Sequence, residues 1–305
     1  MPWKRVLTWS GPLLCVLAWG LAHSDEKRSS GGSLPVDATV TIPSGVTIHY
    51  LQSGDPAGSR TLVLLPGWRL PAFLWKAQME DFGRTMRVIA LDSRSQGTST
   101  KMRGGNTPEV RAQDLHEFLA ALRVTRPVLV GWSQGAQDVA AYLQQYGSGS
   151  VAAVVVVDSL VSLGPREVTE YPEIAQAILS SITRYTSDPE ASSKGSARAL
   201  FMQAHPDLDI DAIVKSMLQT PVDTGVAMLI SDIFGTDRTT ALSKLDKPAL
   251  VIAAADSSPS ERKRMAAQIP GAKFLVIEGA AHAVFVDQPE RFATALHEFL
   301  ATIPP

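Results

Sequence analysis

With one cysteine, Cys15, in 305 residues, the chain can form no internal disulfide and no zinc-thiolate cluster. Long runs of one charge are also missing. Its 28 basic and 30 acidic residues are interspersed, the net charge is −2, and there is no basic footprint for nucleic acid. No segment repeats at a fixed period, which argues against a repeat architecture. What is present suits a packed globule, with 45% apolar and 19% charged residues.

The first 24 residues differ from the rest. Lys4 and Arg5 precede an apolar stretch from Val6 to Ala22, and Ala22 and Ser24 stand where small residues flank a cleavage site. The stretch is short for a membrane span and carries Thr8, Ser10, Gly11 and Pro12. A cleaved secretory signal over residues 1–24 is therefore expected, giving a secreted or periplasmic chain without stable membrane insertion. Leu14, before Cys15, is not the small residue that lipidation requires. Cleavage would remove two basic residues and no acidic one, leaving a net charge of −4 and no cysteine to oxidise or to act as nucleophile. Residues 25–35 are polar and Gly/Ser-rich and read as a flexible lead-in.

From residue 36 onward the pattern is that of one α/β domain. Ala38 to Ile42 and Thr47 to Leu51 alternate as a hairpin about Pro43-Ser44-Gly45. Continuous apolar runs follow at Leu62 to Leu65, Val88 to Leu91, Val128 to Val130, Val151 to Val157, Leu250 to Ala253 and Phe274 to Ile277. Runs that do not alternate belong inside a sheet covered on both faces, and their alternation with helical segments makes that sheet mostly parallel. Thr107-Pro108 and the capping box Ser258-Pro259-Ser260-Glu261 mark helix starts. About 163–245 the pattern breaks into helical pieces, read as a small cap inserted before the last two strands.

The sharpest local signal is Gly131-Trp132-Ser133-Gln134-Gly135, which follows a buried strand and opens a helix. Glycines are needed there because the strand-to-helix turn leaves no room for side chains, and the same turn lifts the serine hydroxyl toward substrate. A hydroxyl is a weak nucleophile and needs a base. His282 stands in a loop directly after the last buried run, where the base of a Ser…acid…His chain order falls. His23, His49, His116, His205 and His297 have settings that favour packing or solvation. Asp256, after the run Leu250 to Ala253, is the first choice for the acid. Asp158, at the end of Val151 to Val157, is the second, and the residues leave both open. The backbone N–H groups of Gln134 and Trp68 are the expected oxyanion donors. Trp68 and Trp132 are expected to wall the acyl pocket, while Trp75 is expected in the core and Arg94 is expected to hold the turn after Asp92.

Several segments together resemble the α/β-hydrolase superfamily from about residue 36 onward, and within it the cofactor-free haloperoxidases and perhydrolase-like serine esterases. They are Leu65-Pro66-Gly67-Trp68, Asp92-Ser93-Arg94-Ser95-Gln96-Gly97, Gly131 to Gly135, and Gly279 to His282 with the later Asp287-Gln288-Pro289-Glu290. Pro66 stands where such proteins usually have His, Ser95 where they have Gly, and the loop after Ala254 is short, displacing Asp256 from the usual place of the acid. Some relatives carry the acid after the earlier strand, as Asp158 would be.

The chemistry that fits is acyl transfer on a small carboxylic ester, lactone or amide through an acyl-enzyme on Ser133, needing neither metal nor organic cofactor. Two alternatives remain. One is a cofactor-independent dioxygenase using His282 and an Asp as its base pair, as the resemblance allows. The other is a non-catalytic ligand receptor on the same fold. Met202, Met217, Met228 and Phe234 in the cap are expected mostly to pack.

Overall fold

The structure, a computed structural model, describes residues 34–58, 60–162, 165–233, 235–257 and 259–304. The expected signal segment, Phe234 and the Ser258 of the capping box lie outside the described residues. Eight strands form one sheet: β1 (Val36–Thr41), β2 (Thr47–Ser53), β3 (Thr61–Leu65), β4 (Arg87–Leu91), β5 (Val128–Trp132), β6 (Ala153–Val157), β7 (Ala249–Ala254) and β8 (Lys273–Ile277). Their order is β1-β2-β4-β3-β5-β6-β7-β8, with β2 antiparallel to both its neighbours and the remaining pairs parallel.

The strands β3 to β7 are buried on both faces, and their side chains divide by the period-2 pleat, whereas β8 is the edge strand and is buried only at Ile277, which corrects the expectation that Phe274 to Ile277 runs inside the sheet. Leu62, Leu64, Val128, Val130, Trp132, Val155, Val157, Leu250 and Ile252 point into one core, while Val63, Leu65, Leu129, Val154, Val156 and Val251 point into the other. A 3-10 turn at Ala72–Trp75, α1 (Lys76–Phe82) and, near the C-terminus, two further helices cover the first face; α2 (Pro108–Ala121) and α3 (Gln134–Tyr146) cover the second. In α2, Thr107 is the N-cap, its side chain accepting from Val110 N–H, and Pro108 stands at the first helical position.

Between β6 and β7 the chain runs through α4 (Pro165–Glu170), α5 (Pro172–Ser187), α6 (Pro189–Ala199), α7 (Ile210–Leu218), α8 (Val222–Ile233) and α9 (Thr239–Ser243). Met217 and Met228 are buried there, whereas Met202 is exposed. The remaining helices are α10 (Pro259–Ala266), α11 (Val284–Asp287) and α12 (Pro289–Ala301).

From β3 the chain goes to β4 on one side and then to β5 on the other. The loops leaving β3 and β5 therefore part at the carboxyl ends of these strands, where open α/β sheets form their crevice. The loops that line it are fixed by Asp92, at the end of β4. Its Oδ1 accepts from Ala72 N–H at 2.8 Å, and its Oδ2 accepts from Thr98 N–H at 2.9 Å. Gly97 is left-handed (φ 45°), and a Cβ there would fall 2.0 Å from Asp92 Oδ2, so only glycine closes this turn. Ser95, where the family pattern has glycine, is itself left-handed (φ 64°), and its Oγ accepts from Met102 N–H at 2.9 Å. Arg94 pairs with Asp114 in α2 and donates to the Gly105 carbonyl, as a turn-holding residue would.

His49, on β2, lies between Asp92 and Asp37, 2.8 Å from each. The Asp92 bond, opposed by burial and aided by Asp37, raises its pKa from 6.5 to about 8. A raised histidine stabilises fully below its unfolded pKa and loses that contribution as pH climbs through the folded value. The rise corresponds to about 2 kcal/mol at most, and screening at exposed Asp37 reduces it to about 1 kcal/mol. In chemical denaturation, the stability gap between wild type and His49→Gln should therefore shrink by about 1 kcal/mol from pH 6 to pH 9. A gap independent of pH would contradict the ion pair.

Candidate active site

Ser133 follows β5 immediately and is the residue before α3, with φ 53° and ψ −120°. A non-glycine residue in this conformation is strained, and the surrounding packing must hold it. The two flanking glycines show how tight that packing is. A Cβ on Gly131 would lie 2.5 Å from the Gly135 carbonyl oxygen, and one on Gly135 would lie 2.7 Å from the Leu65 carbonyl oxygen. Gly67, in the loop after β3, is also close: its Cβ would come 3.1 Å from Ser133 Cβ. This brings the Gly67-Trp68 backbone alongside the serine. Gln134 N–H belongs to the first turn of α3, where donors have no partner within the helix.

His282 follows β8, and Asp158 follows β6. His282 Nδ1 lies 2.7 Å from Asp158 Oδ2. Asp158 has no solvent exposure, and its Oδ1 accepts from Ala254 N–H and Ser257 Oγ and lies 3.0 Å from Arg262 Nε. Burial alone would push this carboxyl up, but the hydrogen bond and charge of His282, then Arg262 and Ser257, hold it below the ordinary carboxylate range. An ionised carboxylate only accepts, so Nδ1 is the donor in this bond and Nε2 is the ring nitrogen turned away from Asp158.

Two expectations are corrected here. The carboxylate that meets His282 is Asp158, not Asp256, which is exposed in the turn after β7. The short β7 loop places Ser257 against Asp158 and leaves Asp256 facing solvent. Trp132 does not wall the pocket. It is fully buried, packed edge-on against Trp75 and Phe285, and its Nε1 donates to the His282 carbonyl at 2.9 Å. The cause is strand alternation, which points Trp132 into the same core as Val128 and Val130. Its indole thus holds the histidine loop from beneath. Trp75, stacked on Phe285, is in the core as expected.

Ser133, His282, Asp158, Trp68 and Gln134 line one cavity of about 240 Å³, together with Gln137, Ser159, Leu160, Arg262 and three residues of the inserted helices, Ile178, Leu229 and Asp232. Helices α5 and α8 thus form part of its wall. Trp68 is tied to α8, its Nε1 donating to the Gly225 carbonyl at 3.0 Å. Among the described residues no cluster of His, Cys, Asp and Glu could hold a metal ion.

Sequence reasoning missed the polar residues that brace this site. Gln96 accepts from the backbone N–H of Arg69 and donates to Gln134 Oε1 at 3.1 Å, joining the β3 loop to the elbow. Gln134 Nε2 donates to Asp232, which also accepts from Arg111 Nη2 at 2.8 Å. Asp287 accepts from Ala281 N–H, Met202 N–H and His205 Nε2, while Ala283 N–H donates to the Leu200 carbonyl. Both neighbours of His282 are therefore pinned. Of the other described histidines, His116 is stacked on Tyr146 and His297 is bonded to Asp81. Arg69 is fully buried between the rings of Trp68 and Tyr185, 4.0 Å from each centroid, and burial lowers its pKa to about 10. Gln96, Gln134 and Asp287 lay within segments that the sequence had marked, but their side-chain roles had not been read there.

A family model described as the alpha/beta hydrolase family matches residues 62–295. A non-heme chloroperoxidase of Kitasatospora aureofaciens is 27% identical over 85% of this chain and 98% of its own. A pimeloyl-[acyl-carrier protein] methyl ester esterase of Edwardsiella ictaluri is 28% identical over 80% and 94%, respectively. Among solved structures, a thermophilic esterase from Thermogutta terrifontis superposes with a TM-score of 0.72 at 27% identity, covering 88% of this chain and 98% of that one.

The elbow geometry makes a stability prediction. Gly131→Ala and Gly135→Ala each drive a methyl into backbone and should cost about 2–4 kcal/mol in thermal or chemical denaturation. Gly149→Ala, with nothing within 4 Å of the added carbon, should change stability by less than about 0.5 kcal/mol. Equal effects at all three positions would contradict the close packing.

Proposed function

The chain belongs to the alpha/beta hydrolase family, and from that premise we propose that it hydrolyses small carboxylic esters through an acyl-enzyme on Ser133. Esterases among its relatives place it with the hydrolases. One observation carries the finer reading: the 2.7 Å bond between His282 and an ionised, fully buried Asp158, with Ser133 and His282 lining the same cavity.

In this reading Ser133 Oγ attacks the ester carbonyl carbon while His282 Nε2 takes its proton. Asp158 fixes the tautomer and stabilises the imidazolium that forms. The N–H groups of Gln134 and Trp68 receive the oxyanion. His282 then returns the proton to the leaving alkoxide, and the alcohol departs. Water attacks the acyl-enzyme with His282 as base, releasing the acid and free Ser133. Every proton taken in one half-reaction is given back in the other, so no cofactor is called for.

The position of Asp158 after β6 also suits the second reading, a cofactor-independent dioxygenase in which the His282-Asp158 pair deprotonates a heteroaromatic substrate. The first 24 residues fit an export signal, and we propose that the enzyme works outside the cytoplasm. No described helix is long and apolar enough to cross a membrane.

With short-chain p-nitrophenyl esters, Ser133→Ala and His282→Ala should abolish turnover, and Ser133→Ala should also end labelling by a fluorophosphonate. Asp158→Asn should lower kcat by about 10²–10⁴-fold, and Asp256→Asn by less than about threefold. A large loss at Asp256 with none at Asp158 would overturn the assignment of the acid. Oxygen consumption with a hydroxyquinolone-type substrate, unaffected by Ser133→Ala, would favour the dioxygenase.

A further inference from the structure

The lining of the cavity is mixed. Trp68, Leu160, Ile178 and Leu229 supply apolar surface, and Gln137 and Asp232 are among the polar side chains that complete the lining. Gln137 Oε1 is buried without a hydrogen-bond partner among the described residues. Asp232, only 4% exposed, accepts one bond on each oxygen, from Arg111 and from Gln134, which leaves each oxygen a further lone pair.

The charges behind this wall do not balance. The single guanidinium of Arg111 bonds both Asp138 and Asp232, at 2.8 Å each, so one cation serves two carboxylates. Asp138 Oδ2 is left without a partner among the described residues. The adjacent Glu109–Arg238 pair is internally neutral. Burial pushes the Asp138 carboxyl up to about 7 despite Arg111, so at pH 7 a proton on Asp138 offsets part of this imbalance and the rest stays with Asp232. The guanidinium that lines the cavity, Arg262, is turned to Asp158 and to the Ser257 carbonyl.

We propose that Asp232 and Gln137 form a specificity wall that selects small esters bearing a hydrogen-bond donor, an ammonium above all, and refuses esters bearing a carboxylate. A donor a few bonds from the carbonyl gains an acceptor that is otherwise unpaired, and a positive one also offsets the excess carboxylate. A substrate carboxylate would face the Asp232 carboxylate across a cavity of about 240 Å³ and be repelled by it. This selectivity rests on the ester-hydrolase reading above, but the wall itself can be tested without turnover.

The test compares near-isosteric substrates at pH 7: ethyl β-alaninate, ethyl butyrate and monoethyl succinate, which vary the acyl arm, and 2-(dimethylamino)ethyl acetate against 3-methylbutyl acetate, which vary the alcohol arm. Wild type should show kcat/KM at least about tenfold higher for the ammonium ester than for its neutral partner on one arm, and about tenfold lower for the succinate. In Asp232→Asn the ammonium-to-neutral ratio should fall toward one, and in Gln137→Met it should fall part of the way. Each ratio is internal to one variant, so a general loss of activity does not affect it. In parallel, calorimetry on Ser133→Ala should detect n-propylammonium but not propionate, with binding weakened in the Ser133→Ala/Gln137→Met protein should Asp232→Asn fail to fold. Ester turnover without charge preference on either arm would overturn the wall and leave the hydrolase reading intact. No ester turnover, with ammonium binding that depends on these residues, would do the reverse.

Discussion

The hydrogen bond between His282 and Asp158 is the contact on which the rest of the site depends. It joins the loops after β8 and β6, which are separated in the sheet by β7. Its strength comes from burial of a carboxylate whose every polar neighbour favours the charged form: Ala254 N–H, Ser257 Oγ, Arg262 and the imidazole itself. With Nδ1 committed as donor, the imidazole has one tautomer and one free nitrogen. Trp132 beneath and Asp287 behind then fix the loop that carries it.

The inserted helices are part of this arrangement as well as a covering for it. Asp232 on α8 reaches Gln134 beside the serine, Gly225 on the same helix accepts from Trp68, and the Leu200 carbonyl accepts from the residue after His282. Movement of the cap would therefore be felt at both proposed oxyanion residues and at the base. Substrate choice and catalytic geometry share the same polar side chains. This coupling constrains how far the pocket could be altered without loss of rate.

Much of the architecture was legible in the sequence because it is local. Continuous apolar runs mark strands covered on both faces, and the Gly-x-Ser-x-Gly turn follows from steric exclusion within five residues. His282 could be found because its loop directly follows the last apolar run, although the strand that run forms lies at the sheet edge. The acid was harder, since both β6 and β7 lead into an aspartate, and the fold of the β7 turn decides which one is buried. Trp132 was misread although alternation along β5 carried the signal: it shares a face with Val128 and Val130. Arg111 and Asp232 are 121 residues apart, and nothing in either neighbourhood announces the pairing.

The central claim is that Ser133 forms a covalent acyl intermediate, and mass spectrometry on reaction mixtures quenched in acid within milliseconds of adding p-nitrophenyl ester addresses it most directly. The account predicts a protein mass increased by the acyl group, located to the peptide containing Ser133, and slower to decay in Asp158→Asn than in wild type. Ester turnover with no covalent adduct at any time, or an adduct on another residue, would contradict it.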